Sequence, residues 1–391
     1  MLGVMGFEES SKALLESRPS SPQQLREEFP VTENLIYLNH AAVAPLSRRA
    51  SNAMKELTEQ ACRFGSLHYT QWMRCYSDLR QAAARLINAG KDEIAIVKNT
   101  SEGISFIAEG FPWKSGDQII AFREEFPANY YPWLRLENRG VKLKWLSIYD
   151  DVETIAAAIP GTRLLAISFV NYLSGYRVDL PAIGKLCRKN GCFFFVDAIQ
   201  GMGVYPLDVE ECAVDALAAD GHKWMLGPEG NGILYVRKDW QDTIEPAEFG
   251  WTNPAQYFDY GKRDMTLRPD AGRYECGTLN TVGCYGLHAA LELISEVGVH
   301  NICAAVDSLA QQIEEGVRER GYEVLVARTR VTGSGIVSFR HPTIQSGQIV
   351  SSLKRENILA TPRQEWVRVS PHFYITPEEI DRVIACLPPV H

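Results

Sequence analysis

The sequence has no excess of basic residues, no long apolar run and no targeting segment. Its 391 residues include 48 acidic and 40 basic side chains, which give a formal net charge of −8. This balance offers no electrostatic attraction to nucleic acid or to an anionic membrane, and no stretch is long enough to cross a bilayer. We therefore expect a cytoplasmic protein that binds neither nucleic acid nor membranes and whose partners are small molecules.

The nine cysteines and eight histidines show no metal-ligand spacing. The nearest cysteine pair is Cys187 and Cys192, and no His-Glu-x-x-His pattern occurs. An odd number of cysteines in a chain of this length indicates free thiols, most of which serve as packing residues. We predict no metal site.

A Gly-x-Gly-x-x-Gly fingerprint after an early strand is also missing. The glycines of Gly227-Pro-Glu-Gly-Asn-Gly232 precede a predicted strand, whereas those of a dinucleotide loop follow one. They suit a turn between the preceding loop and that strand. A nicotinamide-dependent dehydrogenase is therefore disfavoured.

Short apolar runs alternate with stretches of helical periodicity, a pattern typical of a parallel sheet covered by helices. With 391 residues, 46% of them hydrophobic, the chain is long enough for two lobes. We predict an α/β large domain over 31–285, a smaller C-terminal domain over 286–391, and an N-terminal segment, 1–30, that packs with the small domain. The predicted strands are Ile94–Val97, Gln118–Phe122, Leu164–Phe169, Phe193–Val196, Ala216–Ala219 and Ile233–Val236.

Polar residues follow most of the predicted strands at their carboxyl ends. The first strand leads into Asn99-Thr-Ser, the second into Glu125-Phe126, and the third into Asn171. The fourth ends at Asp197, and the fifth leads into Asp220-Gly-His-Lys223. Because ligands bind beyond the carboxyl ends of parallel strands, we expect these groups to converge on one site.

Lys223 and Asp197 together suit a lysine-bound pyridoxal phosphate. A lysine imine holds the cofactor aldehyde, and an aspartate keeps the pyridine nitrogen protonated so that the ring accepts electrons. Gln200 can donate its amide to the phenolic oxygen of the cofactor. The alternatives are a surface lysine and an aspartate that caps a strand. A carboxylate below the apolar run Phe193–Val196 requires a cationic partner, which favours the cofactor site.

The segment Asn99-Thr-Ser-Glu-Gly-Ile-Ser follows a strand and opens a helical pattern. The hydroxyls of Thr100 and Ser101, with the free amides of the helix N-terminus, can hold a phosphate. On this motif alone, a plain capping box at Ser101 is the favoured interpretation.

Ordered motifs run through nearly the whole chain. They are Tyr37-Leu-Asn-His-Ala-Ala, Asn99-Thr-Ser-Glu-Gly-Ile, Glu125-Phe-Pro-Ala-Asn-Tyr-Tyr-Pro-Trp, Asn171, Asp197-Ala-Ile-Gln200, Gly221-His-Lys-Trp, Arg273-Tyr-Glu-Cys-Gly-Thr-Leu-Asn and Arg368-Val-Ser-Pro-His-Phe-Tyr. This series resembles the class V aminotransferase family of fold type I pyridoxal-phosphate enzymes, which includes cysteine desulfurases, selenocysteine lyases, isopenicillin N epimerases and kynureninases. The resemblance implies an α/β fold whose mainly parallel seven-stranded sheet has helices on both faces, plus a smaller α+β C-terminal domain.

The resemblance also implies pyridoxal 5'-phosphate as cofactor and roles for individual residues. Lys223 would form the Schiff base and then move protons, once an α-amino acid has displaced it, through an external aldimine and a quinonoid. Arg368 would bind the substrate α-carboxylate as a planar fork, with Asn171 and His40 as further substrate-binding residues. The implied cofactor-binding residues are Thr100, Ser101, Phe126, Asn171, Asp197, Gln200, His222, Lys223 and Thr278.

Within that set, Phe126 would stack on the pyridine ring, where relatives often carry histidine, and neighbouring Pro127 is the alternative. Thr100, Ser101 and His222 would contact the phosphate. Thr278 would reach the phosphate from the partner subunit. The resemblance therefore implies a homodimer with active sites at the subunit interface.

Two departures from the family pattern stand out. At the position of Asp220, many relatives carry serine or threonine. A carboxylate at this position would repel the phosphate unless it turned away or paired with His222. Persulfide-forming desulfurases carry a nucleophilic cysteine on a loop before the carboxylate-binding arginine, whereas Ile358-Leu-Ala-Thr-Pro-Arg-Gln-Glu-Trp-Val leads directly into Arg368. We therefore predict no protein persulfide there, and we interpret Cys276, near Thr278, as a packing residue.

The resemblance leaves the reaction open. We favour a class V aminotransferase-like enzyme acting on an α-amino acid, with a cysteine, cystine or selenocysteine lyase as the alternative. A catalytically silent scaffold that retains the fold is a third hypothesis, and it predicts a colourless protein. The candidates for side-chain selectivity are His40, His372, Tyr130, Arg177 and Trp251.

Overall fold

The protein is described by a computed structural model over residues 22–390. Its α-helices are α1 (Pro22–Glu27), α2 (Arg48–Phe64), α3 (Tyr69–Ile87), α4 (Thr100–Gly110), α5 (Tyr131–Arg135), α6 (Val152–Ala158), α7 (Leu180–Lys189), α8 (Thr281–Val297), α9 (Val299–Glu319), α10 (Ser346–Arg355) and α11 (Pro377–Ala385). Its 3-10 helices are Pro30–Glu33, Lys91–Glu93, Pro127–Asn129, Leu136–Arg139, Lys238–Trp240 and Ala271–Tyr274.

The strands form three sheets. They are β1 (Ile36–Tyr37), β2 (Ile94–Val97), β3 (Gln118–Phe122), β4 (Lys142–Leu146), β5 (Leu164–Ser168), β6 (Phe193–Asp197), β7 (Ala216–Asp220), β8 (Gly232–Val236), β9 (Glu323–Val324), β10 (Val337–Arg340), β11 (Ile358–Leu359), β12 (Thr361–Arg363) and β13 (Trp366–Val369). The largest sheet has seven strands in the order β2-β8-β7-β6-β5-β3-β4. The predicted α/β fold with a seven-stranded sheet is confirmed.

The large sheet is mainly parallel. Strand β8 runs antiparallel to both of its neighbours, β2 and β7, and the pairs between β7, β6, β5, β3 and β4 are parallel. Strand β2 therefore points in the same direction as β7. The carboxyl ends of β2, β3, β5, β6 and β7 consequently meet at one edge of the sheet, where the polar segments were predicted to converge.

Each face of the large sheet has its own apolar core. The side chains of β6 alternate between them: Phe193 and Phe195 pack with Trp133, and Phe194 packs into the other cluster. The centroids of the Trp133 and Phe195 rings lie 5.5 Å apart. Because successive strand residues point to opposite faces, an apolar run such as Phe193–Val196 requires cover on both sides.

Helix α4 begins at the carboxyl end of β2 and packs closely on β7. Asn99 is its N-cap, and the Asn99 side chain accepts a hydrogen bond from the Glu102 amide at 2.9 Å. The cap is thus Asn99, and the capping box considered at Ser101 does not form. A Cβ at Gly103 would lie 2.8 Å from the Ala218 Cβ, so glycine permits the close approach. The first turn of α4 therefore adjoins the end of β7.

The C-terminal region forms a four-stranded antiparallel sheet in the order β12-β13-β10-β9. Strand β1 pairs with β11, and Arg26 of α1 lies 2.7 Å from Glu379 of α11. Residues 1–21 of the predicted N-terminal segment lie outside the described residues. The predicted domain division stays a prediction, and its boundary at residue 285 falls within α8.

Among residues 22–390, no single helix has both the length and the hydropathy needed to cross a membrane. Helices α8 and α9, which meet at a bend of 82°, pass that test of length and composition only as a pair.

Candidate active site

A cavity of about 300 Å³ lies at the carboxyl edge of the large sheet. Most of the predicted site residues line it, and these are Thr100, Ser101, Phe126, Asp197, Gln200, His222, Lys223 and Arg368. Further side chains at the cavity were not assigned a role from the sequence, and these are Ser168, Tyr172 and Arg363. Asp220, which the sequence left in doubt, also lines the cavity.

Lys223 lies in the loop after β7, and its Nζ is 5.7 Å from the centroid of the Phe126 ring. Burial is the main reason that the pKa of Lys223 is lowered to about 8; Asp197 opposes the shift, and Arg368 adds to it. A fraction of the amine is therefore unprotonated near neutral pH. An unprotonated lysine can attack a carbonyl and can accept a proton.

Asp197 is the last residue of β6 and is 2% exposed. Its Oδ1 accepts a hydrogen bond from the Ile199 amide at 3.1 Å. Burial raises the pKa of Asp197 to about 6, while that hydrogen bond and Lys223 lower it. A carboxylate placed here is available to a cationic group in the cavity.

A second buried acid, Glu125, lies behind the cavity. Its carboxyl group accepts hydrogen bonds from the amide of Ser168, at 2.6 Å, and from the Ser168 hydroxyl. Ser168 stands opposite Asp197 in the parallel register of β5 and β6. Burial is the main reason that the pKa of Glu125 is raised to about 8; the Ser168 hydrogen bonds oppose the shift and Asp197 adds to it. Two nearby buried carboxyls do not readily ionise together.

Gln200 connects the lysine loop to the first strand region. Its Nε2 donates to the Ala41 carbonyl at 3.0 Å, and its Oε1 accepts from the Trp224 indole at 2.8 Å. Trp224 follows Lys223 directly. These two hydrogen bonds therefore orient the Gln200 side-chain amide and also hold the loop that carries Lys223.

The side of the cavity nearest α4 gathers Thr100, Ser101, Asp220 and His222. The Asp220 amide donates to the Thr100 hydroxyl at 2.9 Å. His222 Nδ1 lies 3.0 Å from Asp220 Oδ1, although the two groups are not aligned for a hydrogen bond. The predicted pairing of Asp220 with His222 is thus present as a close contact.

Phe126 and Tyr172 form an aromatic wall. Their ring centroids lie 5.2 Å apart at 69°, and Phe126 is 46% exposed. Pro127, the alternative stacking residue, begins a 3-10 turn and does not line the cavity. The Tyr172 carbonyl accepts a hydrogen bond from Arg368 Nη1 at 2.6 Å, which joins this wall to the C-terminal region.

Arg368, on β13, is 2% exposed, yet its Nε and Nη2 have no hydrogen-bond partner among residues 22–390. Burial lowers the pKa of Arg368 to about 9, and neighbouring Arg363 adds to the shift. Arg363 lies across a tight hairpin, in which Arg363 pairs with Trp366 and only residues 364 and 365 form the turn. Two guanidinium groups therefore enter the cavity from one hairpin.

Asn171 and His40 are not among the cavity-lining residues. Asn171 donates to the Glu124 carbonyl at 2.8 Å and accepts from the amide of Ser174 at 2.9 Å. His40 is completely buried between the Ser370 carbonyl, at 2.8 Å, and the Tyr374 hydroxyl, at 2.6 Å, and burial lowers its pKa to about 4. With their polar groups occupied in this way, both side chains support the site from behind.

Thr278 lines a different cavity, of about 270 Å³, together with Trp251 and Tyr257. The remaining selectivity candidates contact other protein groups. Tyr130 stacks on Trp145 with ring centroids 4.5 Å apart, and the Arg177 guanidinium lies 4.4 Å from the Tyr205 ring. His372 is in contact with the Trp224 carbonyl at 3.3 Å. None of them lines the lysine cavity.

No cysteine of the described chain lines the lysine cavity. Cys276 contacts Glu248 at 3.3 Å, and burial is the main reason that its pKa is raised, so it is not an activated thiol. Over residues 22–390 there is also no cluster of three or more histidine, cysteine, aspartate or glutamate side chains that could hold a metal ion.

The residues at the cavity fit pyridoxal phosphate. Unpartnered buried polar atoms belong to Asp220, His222 and Arg368, and such atoms destabilise a protein by about 1–3 kcal/mol each unless a ligand satisfies them. Asp197 supplies a carboxylate for a pyridinium nitrogen, Lys223 an amine for an aldehyde, and the first turn of α4 a binding site for a phosphate. The fold and this set of residues define a lysine-dependent pyridoxal-phosphate enzyme.

The family model for aminotransferase class V matches residues 36–383. The chain therefore belongs to the class V aminotransferase family, as its motifs predicted. Proteins of this kind depend on pyridoxal phosphate, and the chain is an aminotransferase or a carbon–sulfur lyase.

Similar proteins span nearly the whole chain. The "Probable cysteine desulfurase" of Pyrococcus abyssi is 30% identical over 390 residues, which cover 94% of this chain and 96% of the relative. The apo structure of cysteine desulfurase from Thermococcus onnurineus NA1 superposes with a TM-score of 0.86 at 27% identity, covering 93% and 96% of the two chains. The cystine C–S lyase C-DES, in complex with its reaction product cysteine persulfide, gives a TM-score of 0.85 at 25% identity, with 91% and 98% covered. Another C-DES structure carries glycine covalently linked to its PLP cofactor.

Proposed function

We propose that this protein is a carbon–sulfur lyase that cleaves a disulfide amino acid of the cystine type without a protein persulfide. The balanced reaction converts cystine and water into pyruvate, ammonia and cysteine persulfide. The β-carbon–sulfur bond breaks, its electron pair leaves with the persulfide sulfur, and the remaining enamine is hydrolysed. No external oxidant or reductant is required.

The hairpin of β12 and β13 is the observation that carries this proposal. It brings Arg363 and Arg368 to the cavity, and its two-residue turn, 364–365, contains no cysteine. A desulfurase that stores sulfur on its own chain requires a thiol within reach of the substrate sulfur. Since no cysteine of residues 22–390 lines this cavity, we infer that the sulfur leaves on a small molecule. The likeness to a cystine C–S lyase supports the same reaction.

Pyridoxal phosphate, when bound, supplies a conjugated ring that withdraws electrons from the substrate α-carbon. Lys223 Nζ removes the α-proton, because its lowered pKa of about 8 leaves an unprotonated fraction at neutral pH. Asp197 would hold a negative charge for the ring nitrogen, and Phe126 would pack against the ring. Gln200 orients the cofactor through its amide, and Trp224 and Ala41 fix that amide.

Arg368 binds the α-carboxylate through its two unpartnered nitrogens, Nε and Nη2. Arg363 attracts the second carboxylate of a cystine-type substrate. Asn171 and His40 act indirectly, since both side chains are occupied by other protein groups. Thr100, Ser101 and His222 bind the cofactor phosphate.

The test is a product analysis of the cofactor-loaded protein with L-cystine, L-cysteine and L-alanine, in the absence of any added keto acid. We expect cystine to give pyruvate and ammonia in equal amounts together with a small-molecule persulfide. If cystine gave no pyruvate, and an amino acid instead reduced the visible cofactor band until a keto acid restored it, the lyase assignment would be wrong.

Transamination is the second candidate, because the Lys223 amine and the Arg368 carboxylate pocket suit this reaction too. The Lys223 amine, with its lowered pKa of about 8, would serve as the proton carrier in either reaction. An aminotransferase would convert a keto acid to its amino acid in the same assay. The carboxylate pocket at Arg368 serves either reaction.

We further propose that the protein acts as a cytoplasmic homodimer. Aromatic side chains that line the Thr278 cavity are exposed, among them Tyr69, Trp251 and Phe258. A second copy of the chain would cover this surface and bring Thr278 to the partner's phosphate. Sedimentation of the purified protein tests the stoichiometry, and Thr278→Ala should weaken cofactor binding only if the dimer forms. Cell fractionation tests the location.

A further inference from the structure

Asp220 and His222 place an acid and an imidazole beside the predicted phosphate site. Asp220 is 5% exposed, and its Oδ1 lies 3.0 Å from His222 Nδ1. Neither atom has a hydrogen-bond partner among the described residues, and both residues line the lysine cavity. Opposite charges on the Asp220 carboxylate and a protonated His222 ring would stabilise this contact.

The first turn of α4 adjoins this pair. The Asp220 amide donates to the Thr100 hydroxyl at 2.9 Å, and Thr100 and Ser101 line the same cavity. The N-terminus of a helix attracts anions. A carboxylate in the same place has the opposite effect on a phosphate, so an unpaired Asp220 would oppose cofactor binding.

The other charged groups at the cavity are Lys223, Asp197, Arg363 and Arg368. Burial lowers the pKa of Lys223 to about 8, and Asp197 and then Asp220 are the acids that oppose this. A Lys223 that held the cofactor would offer no free ammonium to Asp220. His222, 3.0 Å away, would then be the basic group in contact with the Asp220 carboxylate.

We propose that Asp220 is a positioning residue, which pairs with His222 as an imidazolium so that the Nε2–H of His222 donates a charge-assisted hydrogen bond to the cofactor phosphate. This inference rests on the proposed assignment of Thr100, Ser101 and His222 as phosphate ligands. It explains why a carboxylate is tolerated where relatives often carry a hydroxyl. Phosphate binding in this protein then depends on the charge of an acid–imidazole pair as well as on hydroxyls and amides.

The sign of an affinity change tests the proposal. Asp220→Asn removes the charge and keeps the shape of the side chain. If Asp220 maintains the imidazolium, the variant should bind pyridoxal phosphate about tenfold more weakly. If Asp220 only repels the phosphate, the variant should bind more tightly, and the proposal is overturned.

Pyridoxal, which has no phosphate, is the control ligand for pyridoxal phosphate. Its affinity should be the same in the wild-type protein and in Asp220→Asn, since the pair acts on the phosphate alone; a parallel loss of pyridoxal affinity would contradict this role. His222→Gln, a second variant, should weaken the binding of pyridoxal phosphate and leave the binding of pyridoxal unchanged. An unchanged affinity for pyridoxal phosphate in that variant would also overturn the proposal. Equal affinities of the wild-type protein for pyridoxal and pyridoxal phosphate would refute instead the phosphate-site assignment, and the inference with it.

Discussion

The two halves of the active site are built differently. The half at the sheet edge comes from strand ends. There Gln200 makes two side-chain hydrogen bonds and Asp197 accepts one, whereas the contact between Asp220 and His222 has no aligned hydrogen bond. The C-terminal half comes from one hairpin, and its buried Arg368 has two nitrogens without a hydrogen-bond partner among residues 22–390. The proposed function assigns the cofactor to the sheet half and the anionic substrate to the hairpin half.

This difference explains how one fold serves several reactions. The sheet half follows the family motifs closely and provides the chemistry that all members share. The hairpin half turns through residues 364 and 365, neither of which is a cysteine. Changes in the first half should therefore abolish chemistry, and changes in the second should alter which substrate reacts.

The largest effect is expected at the sheet half, for Lys223→Ala. Loss of the amine removes both the imine and the proton acceptor, so turnover should fall by ~10³-fold or more. Borohydride reduction followed by mass measurement should find no cofactor attached to the variant. Lys185→Ala, on the exposed side of α7, is the control and should retain the adduct. A trapped adduct on Lys223→Ala would contradict the assignment.

The buried acid Glu125 should control how stability depends on pH. Its pKa is raised from 4.5 to about 8, chiefly by burial. The folded protein therefore holds a proton that the unfolded chain has lost, and stability decreases as pH rises from about 4.5 to 8. Glu125→Gln cannot lose this proton. The free energy of unfolding of the variant should exceed that of the wild-type protein, and this difference should grow from pH 5 to pH 8. Its upper bound is on the order of 5 kcal/mol.

Glu124→Gln is the matched control for that experiment, because Glu124 accepts hydrogen bonds from Ser147 and Ile148 and lies one residue away. It should not reproduce the trend. A constant difference between wild type and Glu125→Gln from pH 5 to pH 8 would mean that Glu125 is ionised throughout.

In the hairpin half, Arg368→Lys should weaken substrate binding while leaving the cofactor in place. Replacing a planar fork with a point charge removes a charge-assisted contact of roughly 1.5–3 kcal/mol, which corresponds to about a ten- to hundredfold higher KM. Steady-state kinetics together with the visible cofactor band separate the two effects. Loss of the cofactor band in this variant would show that the halves are not independent.

Arg363 should have a smaller effect that depends on the substrate. Because Arg363 is exposed, its contact with a distal carboxylate is screened, and Arg363→Gln should raise KM for cystine about fivefold. Cysteine has no distal carboxylate, so its KM should not change. Equal changes in KM for cystine and cysteine would show that Arg363 does not bind the distal carboxylate.

The smallest effect is expected for Cys276→Ser. Cys276 lies outside the lysine cavity and contacts Glu248. Turnover of cystine should therefore remain within about twofold of the wild-type rate. A large loss of lyase activity with normal cofactor binding would instead indicate that Cys276 accepts the sulfur.

The sequence predicted the sheet half well because its signals are local. An apolar run followed by a polar residue places Asp197 and Lys223 at strand ends, and a parallel sheet brings such ends together. Strand β4 was missed because it is an edge strand in which Lys142 and Lys144 alternate with apolar residues. The antiparallel direction of β8 was not predicted either, since an apolar run carries no information on direction.

The rest of the site depends on contacts between distant residues. Nothing local distinguishes Arg363 from a surface arginine; it reaches the cavity because β12 pairs with β13. Glu125 acquires its environment from Ser168, 43 residues further along the chain. His40 and Asn171 carry family motifs, yet their polar groups bond to other parts of the protein and leave the cavity wall to their neighbours. The motifs at His40 and Asn171 therefore identified the region of the site but not the side chains that line the cavity.

The central claim is that sulfur leaves on a small molecule and never on the protein. The most direct measurement is to incubate the cofactor-loaded protein with sulfur-labelled L-cystine, trap all thiols and persulfides by alkylation, and follow the label by mass spectrometry. We predict that the label appears in cysteine persulfide, formed together with pyruvate, while the mass of every cysteine-containing peptide stays unchanged. Label on a cysteine of the chain at a rate that matches pyruvate formation would contradict the account.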